Sequence, residues 1–115
     1  MSPRPEVTYL RIRYLAERRV EVSVRARDPD ATVTEVDIDW GDRRGTFATN
    51  ACVAFADGKE GPHTGSTISF RRIRHRYAKR GNYRMRVSAV SHLCPDHTGE
   101  QVGPRVKRTV RIRGR

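Results

Sequence analysis

One segment carries the clearest strand signal in the chain: His75-Arg76-Tyr77-Ala78-Lys79-Arg80-Gly81-Asn82-Tyr83-Arg84-Met85-Arg86-Val87. Its polar middle, with Gly81, is typical of a turn. From Asn82 onward polar and apolar residues alternate, which is the period of a half-buried β-strand. The segment therefore predicts a turn followed by a strand over residues 82–89, with its apolar side chains facing the core.

The same two-residue period recurs along the rest of the chain. Residues 19–27 and 35–40 alternate without a fault, and residues 9–14, 67–73 and 106–112 do so less perfectly. No segment shows the longer apolar period of a helical crossover. Short alternating strands separated by turns predict an all-β fold, an antiparallel β-sandwich of about seven strands.

Length and composition limit the class of protein. The chain has 115 residues, of which 36% are apolar, so we expect a single domain over residues 1–115 with a thin core. Apolar residues are sparse at about 43–66, which predicts an insertion there, with at most a short hairpin of residues 46–47 and 52–55. No apolar run approaches the ~18 residues of a membrane-spanning helix, and no apolar stretch of a signal peptide follows the first residues.

Three motifs make the chain resemble the polycystic-kidney-disease (PKD) domain family. They are Asp28-Pro29-Asp30, then Val36-Asp37-Ile38-Asp39-Trp40-Gly41-Asp42, and the segment from His75 to Val87. The family has an Asp-rich loop, a strand ending in Trp-Gly-Asp-Gly, and His-x-Tyr-x-x-Pro-Gly-x-Tyr-x-Val. The resemblance covers about residues 9–112 and implies an immunoglobulin-like β-sandwich. Arg43 and Arg80 replace a family Gly and Pro, and the segment between Asp42 and His75 is longer than usual.

Seven motif residues are predicted to serve the fold and not catalysis. A glycine after a buried Trp allows a turn with positive φ, and the next Asp accepts backbone N–H groups in that turn. Two tyrosines suit an aromatic pair in which one hydroxyl reaches a loop backbone, as in a tyrosine corner. These structural residues are Trp40, Gly41, Asp42, His75, Tyr77, Gly81 and Tyr83.

The formal net charge is +11, and its distribution suggests a second type of site. Strand phasing places Glu35, Asp37 and Asp39 opposite Arg84 and Arg86, which compensates part of the charge. The uncompensated remainder is a candidate polyanion patch: Arg71, Arg72, Arg74, Arg76, Lys79, Arg80, Lys107, Arg111 and Arg113. Clustered arginines bind phosphate or sulfate groups, but few aromatic residues are interleaved, so nucleic acid is the less favoured polyanion. The alternative is a solvated Arg-rich surface.

The two cysteines allow two interpretations. Cys52 lies in the insertion, and Cys94 follows the strand predicted over residues 82–89. Because the PKD domains are an export-associated family, the resemblance implies that the two cysteines form a disulfide. The alternative is a zinc site in which His92, Cys94 and His97 are joined by Cys52. This spacing matches no common zinc motif.

Calcium is the other metal considered. Asp28 and Asp30, with Asp96 in a loop at the same end of the sandwich, could supply oxygen ligands, and some PKD-like domains bind calcium near the corresponding Asp-x-Asp. The alternative is that the aspartates only cap backbone N–H groups of a turn. Apart from calcium, no cofactor is expected.

No catalytic motif is present, so an enzyme is not expected. The resemblance implies a monomeric, non-catalytic interaction or spacer module that binds protein or polysaccharide. Its expected location is the cell surface, the cell envelope or the medium of a bacterium, or the cytoplasm if Met1 is the true start. The alternative function is binding of a polyanion or nucleic acid through the exposed arginines.

Overall fold

Eight β-strands build the domain in the computed structural model, which describes residues 4–50, 65–94 and 98–113. In chain order they are β1 (Glu6–Leu15), β2 (Arg19–Arg27), β3 (Thr32–Asp39), β4 (Gly45–Thr49), β5 (Ile68–Arg76), β6 (Gly81–Leu93), β7 (Thr98–Val102) and β8 (Val106–Ile112). No α-helix occurs in these three ranges. Accordingly, none of the described residues belongs to a helix able to cross a membrane.

The strands form two antiparallel sheets. One sheet has three strands in the order β1-β2-β5, and the other has the order β4-β3-β6-β7, with β8 also paired to β6. The predicted all-β sandwich is confirmed. The eighth strand is β7, which lies in a segment for which the alternation predicted no strand. Its register against β6 is irregular. Its side chains also do not alternate between buried and exposed as those of β2 do.

The insertion expected at about 43–66 is partly a strand. Its residues 46–47 belong to β4, which pairs with β3 and so extends the five-stranded sheet. Residues 52–55, the other half of the predicted hairpin, lie outside the described residues.

The core lies between the sheets and follows the predicted alternation. Every second residue of β2 is fully buried, from Val20 to Ala26. Val36 and Ile38 of β3 and Met85 and Val87 of β6 face them from the other sheet. Each fully buried side chain of this size contributes roughly 1.5–3 kcal/mol relative to leaving it in water. With one face of each sheet buried, the opposite faces remain available for binding.

Candidate anion-binding surfaces

Four rings from the predicted motifs stack in one row at an end of the sandwich. Trp40 lies parallel to the imidazole of His75, with ring centroids 4.6 Å apart. His75 meets Tyr77 edge-on at 4.7 Å, and Tyr77 stacks on Tyr83 at 4.2 Å. Trp40 and Tyr77 are fully buried. Trp40 and Tyr77 therefore belong to the protein interior, in the structural role that the sequence predicts, whereas His75 and Tyr83 are partly exposed.

The turn that follows β3 is held by two aspartates and one glycine. Asp39 Oδ1 accepts the N–H of Gly41 at 2.9 Å, and Asp42 Oδ1 accepts the N–H of Arg44 at 3.1 Å. Gly41 has a φ of 85°, and a Cβ atom there would lie 2.6 Å from the carbonyl oxygen of Arg84. Only glycine allows this close approach of two backbones.

Side-chain hydrogen bonds connect the same turn to the row of rings. His75 Nε2 lies 2.6 Å from Asp42 Oδ2. The hydroxyl of Tyr77 donates to the carbonyl oxygen of Trp40 at 2.8 Å, which confirms that a tyrosine reaches the loop backbone. Burial, and then the carboxylate of Asp42, raise the pKa of Tyr77, so its hydroxyl remains protonated and donating at neutral pH.

Of the three candidate calcium ligands, Asp28 is buried, Asp30 is exposed and Asp96 lies outside the described residues. Asp28 is 1% exposed, and its Oδ1 accepts the N–H of Asp30 at 3.0 Å. Its Oδ2 accepts the hydroxyl of Ser91 at 2.7 Å. These contacts match the turn-capping alternative. Asp96 lies outside the described residues, within which no group of three potential metal ligands occurs, so calcium stays a prediction.

The candidate zinc and disulfide residues are only partly visible. Nδ1 of the buried His92 lies 2.6 Å from the hydroxyl oxygen of Thr34, and its Nε2 lies 3.4 Å from Glu100 Oε1. Both ring nitrogens thus face protein groups. Cys94 follows β6 directly. The remaining candidates, Cys52 and His97, lie outside the described residues. The disulfide and the alternative zinc site therefore both stay predictions.

The acidic strand β3 lies beside β6, as the charge pattern predicts. Asp39 is opposite Arg86, and Asp37 is opposite Ser88. A hydrogen bond with Asp37 raises the pKa of Glu35 to about 7, with burial and the neighbouring negative charges adding to the effect. Carboxylates therefore crowd one another on this face instead of each meeting an arginine.

The predicted compensation does not extend to Arg84. Because β3 ends at Asp39, the backbone beside Arg84 is that of Gly41, which carries no acidic side chain, and the cross-strand partner of Arg84 on β8 is Thr109. Arg86 lies between Asp39 and Lys107, and its Nε is buried without a hydrogen-bond partner in the described part of the chain. The acids of β3 thus offset less positive charge than the sequence suggests.

The outer face of the three-stranded sheet is strongly basic. Odd-numbered residues of β2 point away from the core, and residues directly paired with them on β1 and β5 share that face. Two glutamates, Glu6 and Glu21, are the acids in these positions. The exposed arginines in these positions, with Arg71 and Arg72 from the exposed bulge of β5, form what we call the basic face: Arg11, Arg13, Arg19, Arg25, Arg27, Arg71, Arg72, Arg74 and Arg76.

Most cross-strand pairs on the basic face join two arginines or an arginine and a neutral residue. Glu21 lies between Arg13 on β1 and Arg74 on β5, and Arg74 Nε is 3.0 Å from its carboxylate. Arg19 lies directly opposite Arg76, and like charges in that position are destabilising. Positive charge is therefore concentrated here with little internal compensation.

A shallow depression of about 170 Å³ lies in the middle of the basic face. Two small side chains, Ser23 of β2 and Ser69 of β5, line it near the bulge in β5. The guanidinium of Arg25 lies over the ring of Tyr9, 4.8 Å from its centroid. The polar residues that line the depression are Tyr9, Arg11, Ser23, Arg25, Ser69 and Arg71.

The structure divides the predicted polyanion patch between separate surfaces. Its members from residue 71 to 76 belong to the basic face, whereas Lys79 and Arg80 lie in the turn after β5. The C-terminal members lie on or directly after β8, in the other sheet: Lys107, Arg111 and Arg113.

Five arginines of the basic face were not among the predicted patch residues. They occupy outward positions of β1 and β2, and the alternation of these strands already marks them as exposed. The pairing of β2 with β5 is what adds them to the predicted cluster, and alternation within one strand does not reveal its neighbour. The five are Arg11, Arg13, Arg19, Arg25 and Arg27.

A larger cleft, of about 1120 Å³, opens beside the turn after β3. It is bounded by Asp42 and His75, and by the turn between β1 and β2. We call it the end cleft. Five of its lining residues are cationic: Arg18, Arg43, Arg44, Arg76 and Lys79.

Comparison with known proteins yields no significant match to a family profile, a curated protein or a solved structure. The resemblance to PKD domains therefore rests on the motifs quoted above and stays a prediction.

Proposed function

We propose that this domain is a non-catalytic interaction module that binds an acidic polysaccharide through the basic face. The observation that supports this most is the set of nine exposed arginines against two glutamates on one side of a three-stranded sheet. Such a surface attracts polyanions and gains affinity from the release of their counterions.

The pairing pattern favours binding over a merely solvated surface. The contact between Arg74 and Glu21 leaves the arginine side chain 62% exposed, and exposed pairs of this kind contribute little to stability. Arg19 and Arg76 repel each other across the strands. A bound chain of sulfate or carboxylate groups would relieve this repulsion, since each anion can lie between neighbouring guanidinium groups.

The single aromatic residue on the face bears on the class of polymer. Proteins that bind single-stranded nucleic acids stack successive bases on several aromatic rings. Here Tyr9 is 40% exposed, and Arg25 already covers a face of its ring. This arrangement favours a polysaccharide, whose anionic groups need guanidinium partners and no stacking platform.

Heparin affinity at two salt concentrations tests the proposal. We expect the protein to bind heparin at about 50 mM salt and to lose most of this affinity at about 200 mM. The triple variant Arg11→Ser, Arg13→Ser, Arg71→Ser should weaken binding at least about ten-fold, which corresponds to ~1.4 kcal/mol.

A matched control removes three charges from the other sheet: Lys107→Ser, Arg111→Ser, Arg113→Ser. We expect this variant to bind heparin about as well as the unmodified protein. If both triple variants lost heparin affinity equally, binding would depend only on the net charge of the protein. That result would refute a site on the basic face. Tighter binding of single-stranded DNA than of heparin at equal salt would refute the polysaccharide assignment.

Recognition of an acidic polysaccharide also fits the expected place of action at a cell surface or in the cell envelope. In that setting the sandwich would act as a monomeric module.

A further inference from the structure

The end cleft has the chemistry of a second, separate binding site. Three chain segments contribute its cations: the turn between β1 and β2 with Arg18, the turn after β3 with Arg43 and Arg44, and the end of β5 and the turn that follows it with Arg76 and Lys79. Their convergence depends on the tertiary structure, because Arg18 and Lys79 are far apart in the sequence. A carboxylate also lines the cleft, that of Asp42, and its Oδ2 lies 2.6 Å from His75 Nε2.

Two of these arginines adopt backbone conformations that disfavour them. Arg18 has a φ of 61° and Arg43 a φ of 69°, a region that glycine and asparagine occupy more readily than long side chains. Both of them line the end cleft, although they come from different turns, whereas the other described non-glycine residues with positive φ, Glu17 and Arg72, do not line it. Strained backbone is often retained at binding sites. Glycine at either position would relieve the strain but remove the charge.

The walls of the cleft are held in place by the fold. Arg18 Nε donates to the carbonyl oxygen of Tyr77 at 3.0 Å, which places its guanidinium at the cleft. In the turn after β3, the N–H of Trp40 donates to the carbonyl oxygen of Arg44 at 3.0 Å, and the N–H of Arg44 donates to Asp42. Arg43 is therefore enclosed between fixed backbone hydrogen bonds. A backbone held in this way lowers the conformational entropy that is lost when a ligand binds.

Size and charge together indicate the ligand class. Clefts that hold small molecules usually measure several hundred Å³ or more, and this one is large enough for a sugar ring with substituents. Guanidinium groups match the oxygens of sulfate and phosphate in two-pronged hydrogen bonds. We propose that the end cleft binds a sugar-sized group carrying one sulfate or phosphate monoester. This site is distinct from the basic face, with which it shares only Arg76.

Calorimetric titration with glucose 6-phosphate, glucose 6-sulfate and glucose tests the proposal at low salt. We expect one or both anionic sugars to bind and glucose not to bind. Binding in the cleft should also shift the backbone amide NMR signals of Gly41 and Gly45, which line it. The ester that binds more tightly shows whether the cleft is built for a phosphate or for a sulfate group. Absence of binding by both esters, or amide shifts confined to the basic face, would overturn the proposal.

Variants at residue 43 separate binding from folding. Arg43→Gly should raise the Tm, because glycine tolerates the positive φ, and yet weaken binding of the anionic sugar about ten-fold. Arg43→Lys keeps the charge at the strained position but loses the two-pronged hydrogen bonds, so it should bind more tightly than Arg43→Gly and more weakly than the unmodified protein. Arg80→Ser, which removes an exposed charge near the cleft that does not line it, should change the affinity little. Equal losses in Arg43→Gly and Arg80→Ser would show only diffuse attraction and refute the site.

The two binding proposals fail independently. The Arg11→Ser, Arg13→Ser, Arg71→Ser variant leaves the end cleft intact, so it should bind the anionic sugar normally even where it no longer binds heparin. Loss of sugar phosphate and sugar sulfate binding in this variant would refute the end cleft as a separate site. Normal heparin binding by Arg43→Gly would leave the basic face supported whatever happens at the cleft.

Discussion

Trp40 and His75 stack face to face across the two sheets, with ring centroids 4.6 Å apart and ring planes only 7° from parallel. Trp40 directly follows β3 of the five-stranded sheet, and His75 belongs to β5 of the three-stranded sheet. The stack therefore joins the two layers of the sandwich at the end that carries the end cleft. It also supports the cleft wall, because His75 Nε2 contacts Asp42 there.

Trp40→Ala should be strongly destabilising. The side chain is fully buried, and its removal leaves a cavity and an unstacked His75, so we expect a loss of about 3–5 kcal/mol in the free energy of unfolding. Urea unfolding measures this. Thr46→Val is the matched control, since it removes the 2.8 Å hydrogen bond to Trp40 Nε1 but leaves the ring in place. It should cost about 1–3 kcal/mol, and a larger loss than in Trp40→Ala would contradict the packing argument.

Gly41→Ala should destabilise the protein by about 1–3 kcal/mol, because the added Cβ meets the Arg84 backbone at a positive φ. The turn would have to move to accommodate it. Gly45→Ala serves as the control: its Cβ would approach the Ile38 carbonyl oxygen only to 3.3 Å, and its φ is not in the left-handed region. Thermal unfolding of both variants should show the larger decrease in Tm for Gly41→Ala.

Stability should fall as the pH rises from about 4.5 to about 7, because of Glu35. The folded pKa is about 7 while the usual value is 4.5, so in this range the folded protein keeps a proton that the unfolded chain has released. Above pH 7 the contribution is constant. Comparing the pH dependence of unfolding in the unmodified protein and in Glu35→Gln isolates this effect. An identical slope in both proteins would show that Glu35 titrates normally.

Asp28→Ala should cost about 1–3 kcal/mol, since it leaves the buried Ser91 hydroxyl and the N–H of Asp30 without their acceptor. If the role of Asp28 is purely structural, the loss is the same with calcium and with a chelator. A calcium-dependent rise in the Tm of the unmodified protein, absent in Asp28→Ala, would instead establish the calcium site. Asp30→Ala is the control for the exposed partner and should change stability by less than about 0.5 kcal/mol.

The predicted disulfide between Cys52 and Cys94 has a direct test. Mass spectrometry should find the non-reduced chain lighter than the reduced chain by the mass of two hydrogen atoms. A loop of this length contributes about 3–4 kcal/mol in the chain-entropy model, so reductant should lower the Tm. Equal masses with and without reductant would exclude the bridge, and a mass increase under native conditions that a chelator abolishes would favour the zinc alternative.

Much of the fold is encoded in local patterns that can be recognised without coordinates. Alternation correctly predicts the buried side chains of β2, of β3 after residue 34 and of β6 up to residue 89, because a strand with one wet face must repeat every two residues. Residues 32–34 and 89–92 are buried consecutively and do not follow it. The Tyr77–Tyr83 pair and the turn at Gly41 were also predicted from the residue types, whereas the stacking of Trp40 on His75 was not. By contrast, β7 has little apolar alternation, and only its pairing with β6 defines it as a strand.

From the sequence alone came the excess of arginine, the strands and the motif residues of the interior. The two candidate binding surfaces depended on tertiary structure. The pairing of β1, β2 and β5 places arginines from three segments on one basic face, and the meeting of two turns with the end of β5 creates the end cleft. Alternation reports only whether a side chain faces water or the core. Which charges become neighbours is decided by strand order, and strand order depends on contacts between residues that are distant in the chain.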